Sequence, residues 1–426
     1  MKFKSLLFLA LLVGACQPTQ KPLVEWVNPF IGTGGHGHTY PGPSSPFGMV
    51  QLSPDTRLEG WDGCGGYHYS DSFIYGFSHT HLSGTGISDY ADVLLMPKSR
   101  ELIFNNGADG QPGYRSSFTH QKESAQAGYY QVFLEDENIN VELTATPRVG
   151  FHKYNYEKGD SAKLIIDLQH RDRVLDAQLQ IIDSVTIRGY RYSSEWANDQ
   201  RVHFYLKLSH PFQEVNFNND SLIAGFEFGI LDEPLKIKVA LSPVDMIGAQ
   251  QNMEAEVPHW DFQKAKQQVQ SSWQKELSKI IVDGSSDDNK TIFYTSLYHS
   301  MLNPNLYIDV DGRYRGMDLE IHKDTVDNHY TIFSLWDTFR ATHPLFTIID
   351  QKRTNSFIRT LLRQYQQGGK LPIWELAANY TNCMIGYHSI PVIVDAYAKG
   401  IRDYDIDMAL EAMVYSASLD TEGLEY

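Results

Sequence analysis

The chain has 426 residues, enough for two or three domains rather than one ordinary core. Its net charge is −16 and it has no long basic run, which excludes the cationic surface that nucleic-acid binding requires. Aromatic residues make up 12% of the chain, including 25 Tyr and 7 Trp, and this excess favours a surface for sugars or other flat ligands, although Tyr-rich β-sheets would explain part of it.

The first 22 residues have the features of a targeting segment and a short tether. Lys2 and Lys4 precede an apolar run over residues 6–13, which is too short to span a bilayer. Small residues then lead directly to Cys16, an order that resembles a bacterial lipoprotein signal. We therefore expect lipidation of Cys16, export to the cell envelope, and a membrane attachment made only by this lipid.

The two remaining cysteines, Cys64 and Cys383, lie far apart in the sequence. Two cysteines do not make a disulfide framework, so we expect two buried free thiols, with a single bridge as the alternative.

Residues 23–257 are predicted to form a β domain, with a β-like pattern from residue 24 to about residue 243. Apolar or alternating runs recur at residues 163–168, 184–190, 202–208 and 235–241, with turn signals at 157–160 and 218–221. No helical stripe of ten residues interrupts them. Many short strands with few helices predict a large antiparallel sandwich.

Residues 28–97 carry loops rich in Gly, Pro and His, which are typical of binding loops on a rigid sheet. They contain two His-x-His pairs, His36 with His38 and His79 with His81. Four carboxylates lie nearby in the sequence: Asp55, Asp62, Asp71 and Asp89. Paired imidazoles and a carboxylate can hold zinc or iron, but hydrogen bonding by these histidines is the favoured interpretation.

After residue 257 the apolar period changes from two to about 3.6. A helical linker over residues 258–284 is predicted to contain a helix at 262–281. Residues 285–426 are predicted to form helices that begin at Asp287 or Asp288 and then span 334–350 (with Pro344 as a break), 355–367, 390–399 and 405–418. Paired helices of this kind predict an (α/α) barrel. A closed toroid needs roughly a dozen helices, so we expect an incomplete barrel from a larger protein.

Two stretches of the helical region combine aromatic and charged side chains. In the first, Asp337 and Arg340 share a helix face beside Trp336, and could clasp adjacent hydroxyls of a sugar. The alternative is a surface ion pair of little energetic value. In the second, residues 371–389, Trp374 and Glu375 lie at the start of a predicted helix whose first turns mix polar and aromatic residues. Asp337 and Glu375 are a candidate carboxylate pair for glycoside hydrolysis, although both could equally bind sugar.

Taken together, these motifs resemble glycoside hydrolase family 92, a family of exo-acting α-mannosidases. The matching segments are residues 27–33, 46–49, 60–67, 76–84, 334–340 and 371–388. The resemblance implies an N-terminal antiparallel β-supersandwich on an (α/α)6 barrel, here incomplete, and inverting hydrolysis of terminal α-mannose from glycans with the help of calcium. It implies that the mannose subsite contains Trp61, Cys64, Asp337, Arg340 and Glu375, to which the local patterns add Trp336 and Trp374.

The family motifs for the acid, the base and the calcium ligands do not occur in this sequence, and are expected beyond Tyr426. Under this interpretation Glu375 holds the sugar rather than protonating its leaving group, and the activity of the chain itself is open. Two alternatives are a surface sugar-binding lipoprotein without catalysis, and another sandwich-plus-toroid glycosidase or phosphorylase.

Overall fold

The structure, a computed structural model, describes residues 21–419. Sixteen β-strands come first and are followed by a region made mainly of helices. Cys16 and its predicted lipidation lie outside the described residues. Between residues 21 and 419, none of the helices combines the length and the apolar character that a membrane span requires.

The strands of the first region are short to medium in length. In chain order they are β1 Ser53–Asp55, β2 Phe73–Ile74, β3 Gly76–Ser78, β4 Leu94–Lys98, β5 Ser116–Ser117, β6 Glu123–Gln126, β7 Tyr129–Leu134, β8 Ile139–Ala145, β9 Val149–Asn155, β10 Ser161–Asp167, β11 Arg173–Asp183, β12 Thr186–Ser194, β13 Gln200–Leu208, β14 Glu214–Phe217, β15 Ile223–Ile230 and β16 Leu235–Ser242.

Fourteen of these strands form two large sheets, β2 and β5 pair separately, and every pairing is antiparallel, as the sequence predicts. One sheet has six strands in the order β1-β3-β4-β10-β15-β14, and the other has eight in the order β11-β12-β13-β16-β9-β8-β7-β6. Alternate residues of β8, such as Val141 and Leu143, are fully buried, and Val141 pairs with Val132 of β7. A shift of one residue would turn these side chains out of the core, so burial fixes the register.

The helices and small strands that follow are α1 Met246–Glu256, α2 Phe262–Leu277, α3 Asp287–His299, β17 Asn305–Leu306, β18 Arg313–Arg315, β19 Ile321–Lys323, β20 Tyr330–Thr331, β21 Phe333–Ser334, α4 Leu335–Thr338, α5 Thr342–Ile349, α6 Gln351–Gly368, β22 Trp374–Leu376, β23 Asn379–Tyr380, α7 Ser389–Ala398 and α8 Ile406–Ala417. The predicted helices at 262–281, 355–367, 390–399 and 405–418 correspond to α2, α6, α7 and α8.

Helix α1 lies inside the predicted β domain, but beyond its β-like segment, which ends near residue 243, and the sequence analysis predicted no element there. Its side chains lack a strong apolar stripe, since the buried face is made of small or polar residues such as Gly248 and Asn252 together with Met253. The Asp245 side chain caps it by accepting a hydrogen bond from the backbone N–H of Gly248. This cap was the one local signal that could have revealed the helix.

The helix predicted over residues 334–350 is in fact two helices, α4 and α5. The interruption falls at residues 339–341, and not at Pro344, which is the third residue of α5. The first turn of a helix has no intrahelical partner for its N–H groups, so proline is tolerated there. The proline therefore marks a helix start instead of a break.

The N-terminal end of the described chain packs on the helical region rather than on the sandwich. Leu23 and Val27 belong to the apolar core of the helices, and the Leu23 N–H donates to the Gln274 side chain of α2 at 2.7 Å. The Asn28 N–H likewise donates to Thr295 of α3 at 2.9 Å. The predicted boundary at residue 23 stays a prediction, but this segment joins the two regions.

Helices α5 to α8 pack on one another, and the described part of the chain forms no closed barrel. One face of α8 is left uncovered, because Ile406, Leu410 and Val414 recur every four residues and are all exposed.

Candidate functional site

Loops of the sandwich and a hairpin of the helical region meet in one apolar cluster, which we call the seam. The sandwich contributes Leu82, Ile87, Tyr90, Trp196 and Ala197, and the helical region contributes Tyr307, Ile332, Trp374, Leu376, Ala377 and Ala378. Trp196 meets Trp374 edge to face, with the ring centroids 5.7 Å apart. The sandwich loop that carries Trp196 is held in turn by Asp89, whose carboxylate accepts from the N–H groups of Trp196 and Ala197.

Asn379 fastens the same sandwich loop to the helical region. Its side-chain amide donates to the Asp199 carbonyl at 3.0 Å, and its side-chain oxygen accepts from the Asp199 N–H at 3.1 Å. A carboxamide that satisfies both backbone groups of one residue fixes distance and orientation together. The two regions are therefore held in one arrangement at the seam.

The stretch after residue 371 is a hairpin and not the start of a helix, so that part of the prediction is wrong. Strand β22 lies between β21 and β23, and Ser334 pairs with Trp374. The turn between β22 and β23 consists of Ala377 and Ala378, both with positive φ, 49° and 64°. Alanine is seldom found in this region because it costs roughly 1–2 kcal/mol per residue. Strained turns of this kind are concentrated at functional sites.

Glu375 lies beneath this turn and is fully buried. Its carboxylate accepts from the Thr331 hydroxyl at 2.8 Å, the Ala378 N–H at 2.8 Å and the Ile332 N–H at 3.1 Å. Burial raises the pKa of Glu375 to about 7, and these hydrogen bonds limit the rise. In this arrangement both oxygens are occupied by the protein itself.

Trp374 is also buried, against Trp196 and the other residues of the seam. The sequence alone did not distinguish a buried indole from an exposed one at this position. In this structure Trp374 and Glu375 are therefore buried residues that hold the hairpin in place. Direct contact of either residue with a sugar stays a prediction.

Trp336, Asp337 and Arg340 are more accessible. Trp336 is 38% exposed, and the Arg340 guanidinium carbon lies 5.9 Å from its ring centroid. Asp337 accepts from the Ser334 hydroxyl and, within the described residues, forms no ion pair with Arg340. Because α4 ends at Thr338, Arg340 lies outside the helix, and the two do not share a helix face as expected. The Arg340 donors are consequently available to a ligand.

His388, near the end of the 371–389 stretch, lies beside the segment that contains Trp336, Asp337 and Arg340. Its ring stacks on Phe339 at 4.3 Å, and burial together with the neighbouring Arg340 charge lowers its pKa. Since Ser334 pairs with Trp374 and Phe339 stacks on His388, the stretches 334–340 and 371–388 lie side by side.

Trp61 is the most exposed tryptophan among the predicted residues, with 61% of its surface accessible. It begins a short 3-10 helix, Trp61–Gly63, and its ring meets the His38 ring edge to face at 4.7 Å. A Cβ placed on Gly86 would lie 2.2 Å from the indole, so a larger residue at this position would displace the ring. Gly86 is followed by Ile87 of the seam, which places Trp61 beside the seam as an open apolar platform.

Cys64 and Cys383 are both free thiols. Burial raises the pKa of Cys64, and the nearby Arg171 opposes the rise. The expectation of two buried thiols is correct for Cys64, whereas Cys383 is only half-buried. A raised thiol pKa leaves little thiolate at neutral pH, which favours a packing role for Cys64.

His79 and His81 serve as hydrogen-bonding residues of the core, as the sequence analysis favoured. His79 bonds to the Val93 carbonyl at 2.7 Å and to His152 at 2.9 Å. His81 bonds to the Gln51 carbonyl at 2.8 Å and to Asp55 at 3.2 Å. Burial alone would raise the pKa of Asp55, but His81 and His170 together hold it well below its ordinary value.

His36, His38 and Asp62 form the one group of three or more metal-binding side chains found among residues 21–419. Asp71 is not part of it, because it pairs with Arg57. Calcium prefers six to eight oxygen ligands, whereas this group offers two imidazoles and one carboxylate. The group therefore does not fit the calcium ion that the resemblance implies.

A cavity of about 710 Å³ lies elsewhere, and none of the predicted site residues lines it. Many of its charged side chains are already paired: Arg353 bonds to Glu276 at 3.0 Å and to Asp350 at 2.9 Å, and Lys279 bonds to Glu276 at 2.6 Å. Paired charges of this kind favour a structural network over a binding site.

Comparison with known proteins agrees with this division of the chain. Residues 26–242 match the N-terminal domain of glycosyl hydrolase family 92, and residues 248–425 match the catalytic domain of that family. The chain belongs to glycosyl hydrolase family 92.

Solved structures of family 92 share the fold over nearly the whole chain. An α-mannosidase from Bacteroides thetaiotaomicron is 34% identical with a TM-score of 0.90, and the match covers 94% of this chain and 58% of that one. An inverting mannosidase from the same organism is 28% identical with a TM-score of 0.84, covering 93% and 56%. A protein of Arthroderma benhamiae described as an uncharacterized secreted glycosidase is 25% identical, covering 99% of this chain and 55% of its own length. The chain thus spans a little more than half the length of these relatives.

Within this family 92 chain, the seam includes residues that the sequence analysis did not select. Trp196 and Asp199 lie in a loop between β12 and β13, and Tyr90 follows a glycine-rich segment. An isolated tryptophan in a loop between two strands was the available signal for Trp196. No local pattern distinguished Asp199, because its contacts to Asn379 use only backbone atoms.

Proposed function

We propose that the protein is an exo-acting α-mannosidase that releases terminal mannose from mannose-containing glycans. Membership of family 92 supports a glycoside hydrolase. A related α-mannosidase, 35% identical with a TM-score of 0.89, has been solved in complex with mannoimidazole, and another relative is described as inverting. We extend the mannose substrate and the inverting outcome from these relatives to this protein.

The observation that carries the proposal is the set of accessible side chains beside the seam. Trp61 and Trp336 expose indole faces, which suit the apolar C–H face of a pyranose ring. Arg340 offers forked donors and Asp337 offers acceptor oxygens, which suit neighbouring hydroxyls. Indoles with a guanidinium and a carboxylate are the complement of a terminal sugar.

In the proposed mechanism the described residues bind and orient the sugar. Inverting hydrolysis needs an acid and a base about 6.5–9.5 Å apart, on opposite sides of the bond that breaks. We do not assign Glu375 to either role, because its oxygens are occupied by Thr331, Ala378 and Ile332. Glu375 acts as a positioning residue that fixes the hairpin below the subsite. Calcium dependence is proposed from the family resemblance alone, and no step above depends on it.

Binding of mannoimidazole, followed by isothermal titration calorimetry, tests the sugar site. Trp61→Ala should weaken binding about tenfold or more, because it removes an exposed stacking surface worth on the order of 1–2 kcal/mol. Phe217→Ala is the matched control, since Phe217 is an exposed aromatic residue on the edge strand β14. Absence of binding, or equal loss in both variants, would contradict the proposed site.

Turnover of an aryl α-mannoside, with and without EDTA and added calcium, tests the reaction separately. Release of mannose that EDTA abolishes and calcium restores would support the proposed mannosidase activity and its calcium dependence. Mannoimidazole binding without turnover would instead support the alternative of a sugar-binding protein without catalysis.

We also propose export and lipid attachment at Cys16. Support comes from the order of charged, apolar and small residues before Cys16 and from the relative described as secreted. Metabolic labelling with an alkyne fatty acid should mark the wild-type protein and not Cys16→Ser, and an unlabelled wild type would contradict the lipid anchor.

A further inference from the structure

His36, His38 and Asp62 bring three metal-ligand atoms together next to Trp61. The His36 Nδ1 lies 2.5 Å from the Asp62 Oδ1, and the His38 Nε2 lies 3.7 Å from the same oxygen. All three ligand atoms are within 4.8 Å of one another. Ligands bonded at 2.0–2.1 Å in a tetrahedral site are about 3.3 Å apart, so shifts of about 1 Å would bring these atoms into place.

The loop geometry directs both imidazoles to the same side. A Cβ on Gly37 would lie 1.8 Å from the Gly32 carbonyl oxygen, so the turn between the two histidines closes too tightly for any side chain. His38 has a positive φ of 50°, a conformation that non-glycine residues seldom adopt. His36 lies between two glycines on an exposed segment, which allows its ring to move towards a ligand.

His38 supplies the second, independent observation. It is only 7% exposed, and its Nδ1 lies 2.8 Å from the Thr85 carbonyl oxygen. A carbonyl can only accept, so Nδ1 carries the proton and donates, which leaves Nε2 of the neutral ring as a lone-pair acceptor. That Nε2 is buried and has no hydrogen-bond partner in the described residues. Metal-binding histidines are held in the same way, with the other ring nitrogen donating to a carbonyl.

We propose that His36, His38 and Asp62 bind a divalent transition metal, with Zn²⁺ as the preferred ion. Two imidazoles and one carboxylate, with a fourth position open to solvent, are a common ligand set for zinc. The nitrogen ligands select against calcium and magnesium, which prefer oxygen. The site is separate from the calcium ion implied by the family resemblance, and it does not depend on the proposed mannosidase activity.

A simple ion pair between His36 and Asp62 is the competing explanation. His322 and Asp318 provide a comparison within the same chain, because their atoms are 2.9 Å apart and both side chains are about one-third exposed. That pair has no third ligand within reach, and it is not part of any metal-binding group among the described residues. It is therefore a matched control for zinc attraction by a His–Asp pair alone.

Zinc titration of the full chain, untagged and kept reduced, against a chromophoric zinc chelator tests the proposal. We expect one equivalent of Zn²⁺ to bind, and His36→Ala and Asp62→Asn each to weaken it about tenfold or more. His322→Ala should leave the affinity unchanged. Co²⁺ should bind at the same stoichiometry and give the visible absorption bands of a tetrahedral site, and excess Ca²⁺ should not displace it.

Both test residues are at least partly exposed, so circular dichroism should show an unchanged fold in the two variants. If His36→Ala and Asp62→Asn bind zinc as tightly as the wild type, the site is wrong. Absence of one-equivalent binding, or displacement by Ca²⁺ at equal concentration, would likewise overturn it.

Discussion

The buried carboxylate of Glu375 accepts hydrogen bonds from three donors. The hydrogen bonds from Thr331, Ala378 and Ile332 favour the charged form, whereas burial favours the neutral form more strongly, which is why the pKa rises to about 7. A group of this kind binds its proton more tightly in the folded state than in the unfolded state. Its ionisation is therefore linked to stability.

This linkage predicts a pH dependence with a definite sign. The ordinary pKa of glutamate is 4.5, so between about pH 4.5 and pH 7 the folded state holds a proton that the unfolded state has lost. Stability falls as the pH rises through this window, by on the order of 3 kcal/mol for this one group above pH 7. The free energy of unfolding in urea, measured for wild type and Glu375→Gln at several pH values, should show the difference between the two decline over this range.

Glu320→Gln is the control for that measurement, because Glu320 is exposed on the neighbouring loop. Its effect should stay within about 0.5 kcal/mol throughout the range. A constant difference between wild type and Glu375→Gln from pH 4.5 to pH 7 would show that Glu375 titrates normally.

At the scale of the secondary-structure element, the hairpin of β22 and β23 is stabilised by two polar side chains, Thr331 and Glu375. Thr331 donates to Glu375 and also accepts from the Ala377 N–H at 2.7 Å, while Glu375 accepts from the Ala378 N–H. The two alanines with positive φ therefore have both their N–H groups bound by side chains from below. These bonds offset part of the strain of the turn.

Removing the Thr331 hydroxyl should consequently destabilise the turn at Ala377 and Ala378. Thr331→Val should lower the free energy of unfolding by about 1–3 kcal/mol, because it leaves the buried Ala377 N–H without its partner and removes one of the two hydrogen bonds to a buried Glu375 oxygen. Combined with Glu375→Gln in a double-mutant cycle, the two changes should couple by about 1 kcal/mol or more. The measurement is chemical denaturation of the four proteins.

Thr325→Val is the matched substitution on an exposed threonine of the same region. It should change stability by less than about 0.5 kcal/mol. Strict additivity of Thr331→Val and Glu375→Gln would refute the shared support of the turn.

Helices and strands with a clear periodic pattern of apolar residues were predictable from the sequence, whereas the hairpin of β22 and β23 was not. Helix α8 combines an apolar face with a capping aspartate, Asp405, so its start followed from local rules. Helix α6 was predicted over residues 355–367 but begins at Gln351, because its cap is Asp350, a residue that the prediction assigned to the preceding helix. The turn at Ala377 and Ala378 lacks the glycine or asparagine that normally indicates positive φ. The residues of the site were identifiable by type, but whether Trp61 or Trp374 is exposed depends on contacts with distant segments, which no local pattern contains.

At the scale of the whole molecule, Asn379 is one of several polar links between the two regions, and it makes two hydrogen bonds to a single sandwich residue. Asn379→Ala removes both hydrogen bonds to Asp199 and should cost about 1–3 kcal/mol. Because the link couples the sandwich to the helices, we expect the calorimetric unfolding transition to broaden or split into two.

Asn355→Ala is the control, since Asn355 also bonds to backbone groups, those of Asp403 and Gln351, but within the helical region alone. It should lower the transition temperature without splitting the transition. A single sharp transition for Asn379→Ala would show that the other contacts between the regions are sufficient to couple them.

The contact between Asp199 and Asn379 also constrains the order of events during protein synthesis. The two residues are 180 positions apart in the sequence. The hydrogen bond of Leu23 likewise cannot form until Gln274, 251 positions later, has been synthesised. The two large sheets are complete once Ser242 has left the ribosome, so the sandwich can fold while the helices are still being made. In the nascent chain, Trp196 and the other seam residues of the sandwich are consequently exposed until residue 379 has been synthesised. A chaperone would shield the largest apolar surface during this interval.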